Sequence, residues 1–435
     1  MKKGAVIAAV LTAGLCASTS ARADVSLFDV NQQQIDASLA MRRSTTEQDN
    51  PIRGQSVLDR ARPDFDPVPV PVGSFQLFPA LNLGAYYDSN IFATPSNETD
   101  DLVWKVNPTA TLASNWGRNA LVFTGLGDFN YNTNQTKQDY NAGALQAEGR
   151  YDIAEETWLA GVAGYQRVVE PRGGLDTPGN AIGPSAYDLF TGGATAYRGV
   201  GRIKITGDFN TRYYDYKNID LIGGGVDSQS SRDRTENETG AKVGYEVTKN
   251  FQPYVSGHYN WRNYSSSGVN SSEGYQVDTG AMLDFGGVTT ANLYAGYIAQ
   301  NYFNYANGTT DAFDFGADVL WNVTPLTSVE GKASRSIQET ATIGQPSALA
   351  SQGSVQVSHE LRRDIVLQAS VNYTAFDFQL VPRHDDQYDA GTGVRYYLNR
   401  NVYTDLTYDF QRRTSSDSSN NFDRNVALVR VGLQY

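Results

Sequence analysis

From Ser74 onward the chain alternates apolar and hydrophilic side chains in segments of about ten residues, each ending at a cluster of Gly, Asn, Asp or Ser. Between residues 202 and 213, Ile203, Ile205, Phe209 and Tyr213 share one face, and Arg202, Lys204, Thr206, Asp208, Asn210 and Arg212 share the other. Ile365, Leu367, Ala369, Val371 and Tyr373 oppose Asp364, Gln368, Ser370, Asn372 and Thr374 in the same way. Successive side chains of a strand point to opposite faces, so each segment predicts a strand with one apolar and one wet face.

A soluble sandwich satisfies that pattern as well as a membrane barrel does, and the connections decide between them. Eighteen segments can be marked, from 75–87 to 422–435, and the gaps between them alternate in length. Long gaps such as 170–185 and 215–233 follow odd-numbered segments, and short ones such as 115–118, 248–250, 322–324 and 399–400 follow even-numbered ones. Short turns on one side and long loops on the other are the pattern of an outer-membrane barrel, and Greek-key crossings give no such alternation. Lipid offers the backbone no hydrogen bonds, so the sheet must close on itself. The expected fold is therefore all-β, an antiparallel up-and-down transmembrane β-barrel of about 18 strands. Its apolar faces meet lipid and its polar faces line a lumen, which reconciles a mean hydropathy of −0.44 with a membrane location.

The N-terminus reads as an export signal. Lys2 and Lys3 precede the apolar run 5–15, and Ala21-Arg22-Ala23 supplies the small-x-small site, placing cleavage before Asp24. No other apolar run approaches the ~18 residues of a membrane helix. Cys16, the one cysteine, leaves with the signal, and Leu15 before it is too large for a lipoprotein site. The mature chain then has no disulfide, thiolate metal ligand or cysteine nucleophile. Removing Lys2, Lys3 and Arg22 leaves 32 basic against 47 acidic residues, a net −15 that argues against nucleic-acid binding. The organisation expected is a cleaved signal at 1–23, an irregular Pro-rich periplasmic segment at 24–73 and an outer-membrane barrel at 74–435. Within 29–43 a short amphipathic helix could carry Ile35, Leu39 and Met41. Pro63, Pro67, Pro69 and Pro71 make an extended spacer, either a tether or a docking or plug element.

Parity along the strands assigns the lumen lining to Lys105, Asp128, Arg167, Lys204, Asp208, Arg212, Tyr254, His258, Asp278, Asp284, Asp314, Asp318, Arg395, Asp405, Asp409 and Arg430, with Tyr294, Tyr397 and Tyr403 also inward. Such charges either select what enters the pore or pair across it and hold its shape. Tyr86, Tyr87, Trp104, Trp158, Trp261 and Trp321 are the expected interfacial girdles. In the last segment Ala427, Val429, Val431, Leu433 and Tyr435 share a face, the pattern read by the barrel-assembly machinery.

Little in the sequence speaks for catalysis or a cofactor. Only His258, His359 and His384 could serve as a base, and no motif singles out a serine partner, so no enzyme is expected. Asp227, Asp233 and Glu236 lack the ligand spacing of a calcium loop, and Gly223-Gly224-Gly225 lacks the strand-to-helix context of a phosphate cradle. Loose contacts of the loop acids with divalent cations or lipopolysaccharide stay open.

The run Val57-Leu58-Asp59-Arg60-Ala61-Arg62-Pro63-Asp64-Phe65-Asp66-Pro67, then Gly73-Ser74-Phe75 and Tyr87-Asp88-Ser89-Asn90-Ile91-Phe92, resembles the putative β-barrel porin 2 family of outer-membrane proteins. Tyr151-Asp152-Ile153-Ala154-Glu155-Glu156-Thr157 and Glu170-Pro171-Arg172 extend the likeness. Members are often linked to exopolysaccharide synthesis in alphaproteobacteria. The resemblance thus implies a passive conduit for exopolysaccharide export, with polysaccharide cargo, a periplasmic export partner, and membrane lipid and lipopolysaccharide around the barrel. A small-solute diffusion porin and a closed structural barrel with loops 170–185 and 215–233 at the cell surface are the alternatives.

Overall fold

The computed structural model describes residues 54–176, 179–265, 270–305, 308–340 and 346–435. The expected signal peptide, the helix within 29–43 and the rest of the segment before residue 54 lie outside the described residues. In chain order the strands are β1 (Val70–Val72), β2 (Phe75–Asp88), β3 (Asp101–Ser114), β4 (Ala120–Asn132), β5 (Tyr140–Ala154), β6 (Thr157–Val169) and β7 (Ala186–Val200). Next come β8 (Ile203–Tyr216), β9 (Ile219–Asp220), β10 (Val226–Asp227), β11 (Arg234–Tyr245), β12 (Phe251–Tyr264), β13 (Ser272–Phe285) and β14 (Thr289–Tyr302). The last are β15 (Thr309–Thr324), β16 (Thr327–Glu339), β17 (Ser347–Arg362), β18 (Ile365–Phe378), β19 (His384–Tyr397), β20 (Val402–Ser415) and β21 (Phe422–Gln434).

β9 and β10 form a small ribbon in a loop, and β1 only lies along the start of β2. Each of the other strands pairs antiparallel with its neighbours in sequence order, β8 joining β11 directly. The register Ala80↔Gln434 to Asp88↔Val426 joins β2 to β21 and closes an 18-stranded barrel. Closure gives both edges of the sheet a partner, which the hydrocarbon region demands.

The alternation sorts side chains as the physics of the bilayer requires. Ile203, Ile205, Phe209 and Tyr213 are exposed on the outside, and Lys204, Thr206 and Asp208 point to the lumen side. Trp104 and Trp321 stand outward, 54% and 48% exposed. Two aromatics expected in the girdles turn inward instead. Tyr86 is 8% exposed and packs with Val103 and Leu428, and Trp158 stacks on Tyr197 with ring centroids 5.3 Å apart. Each is one residue from an outward neighbour, Tyr87 or Leu159, so parity excludes it from the lipid face.

Among the described residues, the segment before β1 and loop 170–185 enter the barrel. At the short-turn end, residues 54–69 run along the inner rim. Gly54 N–H donates to Gly287 O in the β13–β14 turn (2.9 Å), and Val57 N–H donates to Ser328 Oγ (2.8 Å). Arg60 reaches Asn322 Oδ1 (3.0 Å) and Pro325 O. Arg62 pairs with Glu360 (3.4 Å), Arg400 donates to Pro63 O (2.7 Å), and the Phe65 ring packs on Tyr397. The strap thus visits each short turn in order from β13–β14 to β19–β20 before β1 returns the chain to β2.

At the opposite end, loop 170–185 turns inward rather than outward to the cell surface as the sequence suggests for its length. Leu175 packs on Ala348, Ala350, Phe376 and Phe378 of β17 and β18. Those strands lie half-way around the barrel from β6 and β7, where the loop begins and ends, so the loop crosses the lumen.

Candidate functional site: the lumen and its outer constriction

Loop 170–185 holds its crossing by polar contacts at both ends. Glu170 and Arg232 are buried and paired, with Arg232 Nη1 3.0 Å from Glu170 Oε2. Burial by itself lowers the Arg232 guanidinium, but the facing Tyr216, Glu170 and Asp176 reverse this and leave it raised. Arg172 donates to the carbonyls of Ala181, Ile182 and Gly183 at 3.0, 3.1 and 2.9 Å and to Gln138 Oε1 at 2.9 Å. Its guanidinium therefore folds the loop back on itself, and burial lowers its pKa. Ile182 N–H donates to Asp220 O, tying this loop to the next one. On the far side Arg413 donates to Gly173 O. Gly173 has φ +79°, and a Cβ there would lie 2.8 Å from Ala93 Cβ and 3.0 Å from Phe422 Cε1. Only glycine allows this approach of the loop to the far wall.

Beside the loop, the wall from β8 to β16 is filled by a network of buried charges. Arg234 Nε is 2.7 Å from Glu236 Oε1, Arg212 Nη1 3.4 Å from Glu236 Oε2, and Arg262 Nη1 2.8 Å from Glu339 Oε1. Arg234 also lies over the Tyr214 ring at 3.9 Å. At this end a cavity of about 200 Å³ lies between the loop and strands β2 to β6. Lys105, Asp128, Gln138, Arg172 and Arg424 line it. Towards the short-turn end the lumen widens into a cavity of about 730 Å³ bordered by β5 to β16. Trp158, Tyr197, Lys204, Lys242, Asp318 and Lys332 face it.

The structure distributes the lumen residues expected from sequence among three environments. The first is paired wall: Lys105 Nζ lies 3.4 Å from Asp128, His258 Nε2 3.9 Å from Asp208, and Lys204 Nζ 2.9 Å from Glu156. Arg395, Asp405 and Arg430 are direct cross-strand partners on β19, β20 and β21. Asp405 is 0% exposed and accepts from Arg395 Nε at 2.7 Å and Arg430 Nε at 2.8 Å. Arg212 belongs to the buried network described above.

The second environment is the inner face of the wall, partly open at Asp284 and Asp318 and buried at Tyr254, Asp278 and Asp314. Asp318 faces the large cavity, Tyr254 donates to Asn292 Oδ1 (2.9 Å), and Asp284 caps the β13–β14 turn by accepting from Gly287 N–H (2.6 Å). Asp278 and Asp314 flank Gly296 in one row of the sheet, and Gln276 Nε2 bridges them at 2.9 and 2.7 Å. Asp409 is half-buried and accepts from Thr407 Oγ1 at 3.5 Å.

The third environment is outside, and there the expectation for Arg167 is corrected. It follows the exposed Tyr165 by two residues and shares its outward face, pairing with Asp188 at 2.9 Å. Near the loop end of β6 the wall leaves the hydrocarbon, so a charge on the outer face is tolerated and polarity there no longer marks the lumen. Val429, Val431, Leu433 and Tyr435 are all exposed on the outer face of the closing strand.

Of the loop acids, Asp227 accepts from Gln229, Asp233 from Tyr216 N–H, and Glu236 from Arg234. Sequence reasoning left the strap open as a tether or a docking element, named Glu170 only within a family motif, and passed over Arg232, Arg234, Arg262 and Glu339. A usable signal was present in the closely spaced Arg232, Arg234 and Glu236, which is dense charge where a loop enters a strand.

Comparisons with solved structures return matches at low identity. Pseudomonas aeruginosa OpdK with vanillate is 12% identical, with 82% of this chain and 99% of that one covered and a TM-score of 0.44. Pseudomonas aeruginosa OpdQ is 9% identical, covering 83% and 98% with a TM-score of 0.45. Acinetobacter baumannii OccAB3 is 9% identical, covering 84% and 100% with a TM-score of 0.45. No curated protein matches the chain. A family profile matches residues 62–435, taking in the second half of the strap, the inward loop and every barrel strand. This chain, a β-barrel of the bacterial outer membrane, belongs to the family described as putative beta-barrel porin 2.

Proposed function

We propose that the chain is a diffusion porin for small hydrophilic solutes. The observation that carries this reading is the inward course of loop 170–185, with Leu175 seated on Phe376 and Phe378 of the opposite wall. Together with the buried Arg234, Glu236, Arg262 and Glu339, the loop reduces the outer end to a polar passage along β2 to β6. A small solute meets there a lining of both charge signs, with Lys105 and Arg172 beside Asp128. The wider cavity below offers a larger volume, about 730 Å³, and further charges of both signs. Nothing in this arrangement asks for chemistry: the side chains bind weakly, orient and exclude by size.

A polymer conduit, the first expectation from sequence, would need a continuous bore for a chain of sugars, and the crossing loop speaks against one. The test is diffusion into proteoliposomes of uncharged sugars from mono- to hexasaccharide, alongside planar-bilayer conductance. A steep fall in rate with size, together with measurable conductance, is the expected result. Equal rates for all the sugars would favour the polymer conduit, and no conductance would favour the closed barrel.

A further inference from the structure

One ladder in the barrel is incomplete. β14 pairs with β15 from Thr289↔Trp321 to Asn301↔Thr309, and β16 pairs with β17 from Thr327↔His359 to Glu339↔Ser347. Between β15 and β16, however, the register runs only from Thr324↔Thr327 to Gly316↔Ser334. Residues 309–315 and 335–339 remain strand and have no ladder partner across this seam. The split starts part-way up the wall and extends to the loop end.

The two edges pass each other instead of meeting. Thr310 Oγ1 on β15 lies 2.8 Å from Ser347 Oγ on β17, a contact that skips β16. Glu339 on β16 reaches Arg262 on β12 (2.8 Å) and the Tyr264 hydroxyl, skipping three strands. The tops of β16 and β17 therefore lie inside the wall, covering Tyr302, Gln300 and Thr310, and the upper part of β15 lies outside. Ile337 is buried by the overlap, although parity would put it on the lipid face.

What flanks the overlap is apolar on both sides. On the lumen side Ala348, Ala350, Phe376 and Phe378 form a buried cluster with Leu175 and Val381. On the outside Phe313 is 60% exposed and stacks with Phe315 at 6.3 Å. Arg335, on the outward face, spans the split: its Nη1 donates to Phe313 O (3.2 Å), its Nε to Ser351 Oγ (2.9 Å), and it lies 5.0 Å over the Phe315 ring. An arginine facing lipid is costly, and here it supplies a donor to an edge carbonyl whose strand has lost its neighbour.

We infer that the β15–β16 seam is a lateral opening between the lumen and the outer leaflet, held by Arg335. It takes amphipathic solutes whose apolar part passes from the Phe376–Phe378 cluster to the Phe313–Phe315 side. This route is separate from the aqueous passage along β2 to β6, so it goes beyond the porin reading and does not depend on it.

The test measures lipid access to the inside of the barrel. In a Cys16→Ser background, bimane is attached at Ser336→Cys, on the lumen side of the split edge. Further sites are Ser334→Cys just below the split, Ala142→Cys on the distant lumen wall and Val371→Cys on the lipid face. The variants are reconstituted with a phospholipid carrying a nitroxide on its acyl chain. Quenching at Ser336 several-fold above that at Ala142, approaching that at Val371, and rising further in Arg335→Ala, is the expected result. Ser334 repeats the measurement should Ser336→Cys fail to assemble. Quenching at the seam sites no greater than at Ala142 would overturn the lateral opening. So would disulfide-linked dimers formed by Phe313→Cys on oxidation, because they would assign the free edge to a second copy. Conductance, read in the same preparations, tests the aqueous pore separately.

Discussion

Asp405→Asn is the substitution on which sequence parity and three-dimensional contacts disagree most. Parity alone treats Asp405 and Asp409 alike, as lumen acids whose loss leaves assembly intact and shifts ion selectivity. In the structure Asp405 is fully buried, with Arg395 donating to both of its oxygens and Arg430 to Oδ2, across β19, β20 and the closing strand β21. An asparagine keeps the shape and one acceptor oxygen but leaves two guanidinium groups without a counter-charge. Removing one partner of a buried ion pair costs roughly 3–5 kcal/mol. The retained acceptor argues for the lower end, about 3 kcal/mol. Asp409 is half-buried and not enclosed between two guanidinium groups, so its conversion to Asn should cost clearly less than that of Asp405.

The assay is urea unfolding from lipid vesicles followed by tryptophan fluorescence, with heat-modifiable migration in detergent gels as a check on assembly. Replacing the whole triad by apolar residues, Asp405→Leu with Arg395→Met and Arg430→Met, should recover much of the loss, because no charge is then left unpaired. Equal stability of Asp405→Asn and Asp409→Asn would refute the reasoning. So would a triple variant no more stable than Asp405→Asn.

Three further outcomes follow from the same geometry. Val431→Arg puts a charge on the lipid face of the closing strand and should cost about 2–4 kcal/mol and reduce assembly in the outer membrane; normal yield would overturn the assigned sidedness. Gly173→Val meets Ala93 and Phe422 at a backbone angle valine rarely adopts, so loop 170–185 should leave the far wall and single-channel conductance should rise. Burial raises the Asp66 carboxyl against the opposing pull of the Arg62 N–H and guanidinium, so its charged form costs stability above the unfolded pKa and that cost is relieved as pH falls through the raised value. Protease cleavage within residues 54–69 should therefore slow as pH falls from neutral towards the carboxylate range, and Asp66→Asn should remove that dependence.

The strands were legible because a two-residue period is a local property. Each of the eighteen barrel strands overlaps a segment marked from alternation, and β14 is bounded where Gly286-Gly287 and the run Asn304 to Gly308 break the pattern. The lipid face was legible for the same reason: hydrocarbon accepts only apolar side chains, so Ile203, Val371 and Val431 announce it. Where the wall leaves the hydrocarbon that constraint lapses, and Arg167 shows the consequence. Its polarity marks an outer face in contact with water and Asp188, and a reading that equates polar with inward misplaces it.

The interior was less legible because its constraint is not periodic. A lumen tolerates any polar side chain, so parity can name Lys105, Asp278 or Asp405 as inward without saying whether each meets solvent, a partner or a segment of the chain itself. Loop 170–185 illustrates the difficulty: what brings it inside is Gly173 passing Ala93 and Phe422 and Leu175 reaching Phe376, the last two being contacts across more than two hundred residues. The strap poses the same problem, since Arg60 and Arg62 read as ordinary surface charges until Asn322 and Glu360 are placed opposite them. Closure of the sheet is what brings such residues together, and it also decides how much of the bore stays open. An 18-stranded barrel can enclose an aqueous channel by its width, yet here loop 170–185 and a handful of buried ion pairs occupy part of that width. On the porin reading proposed above, selectivity is a property of what fills the barrel, so changing Gly173 or Glu170 should alter permeation more than changing any one exposed lumen acid.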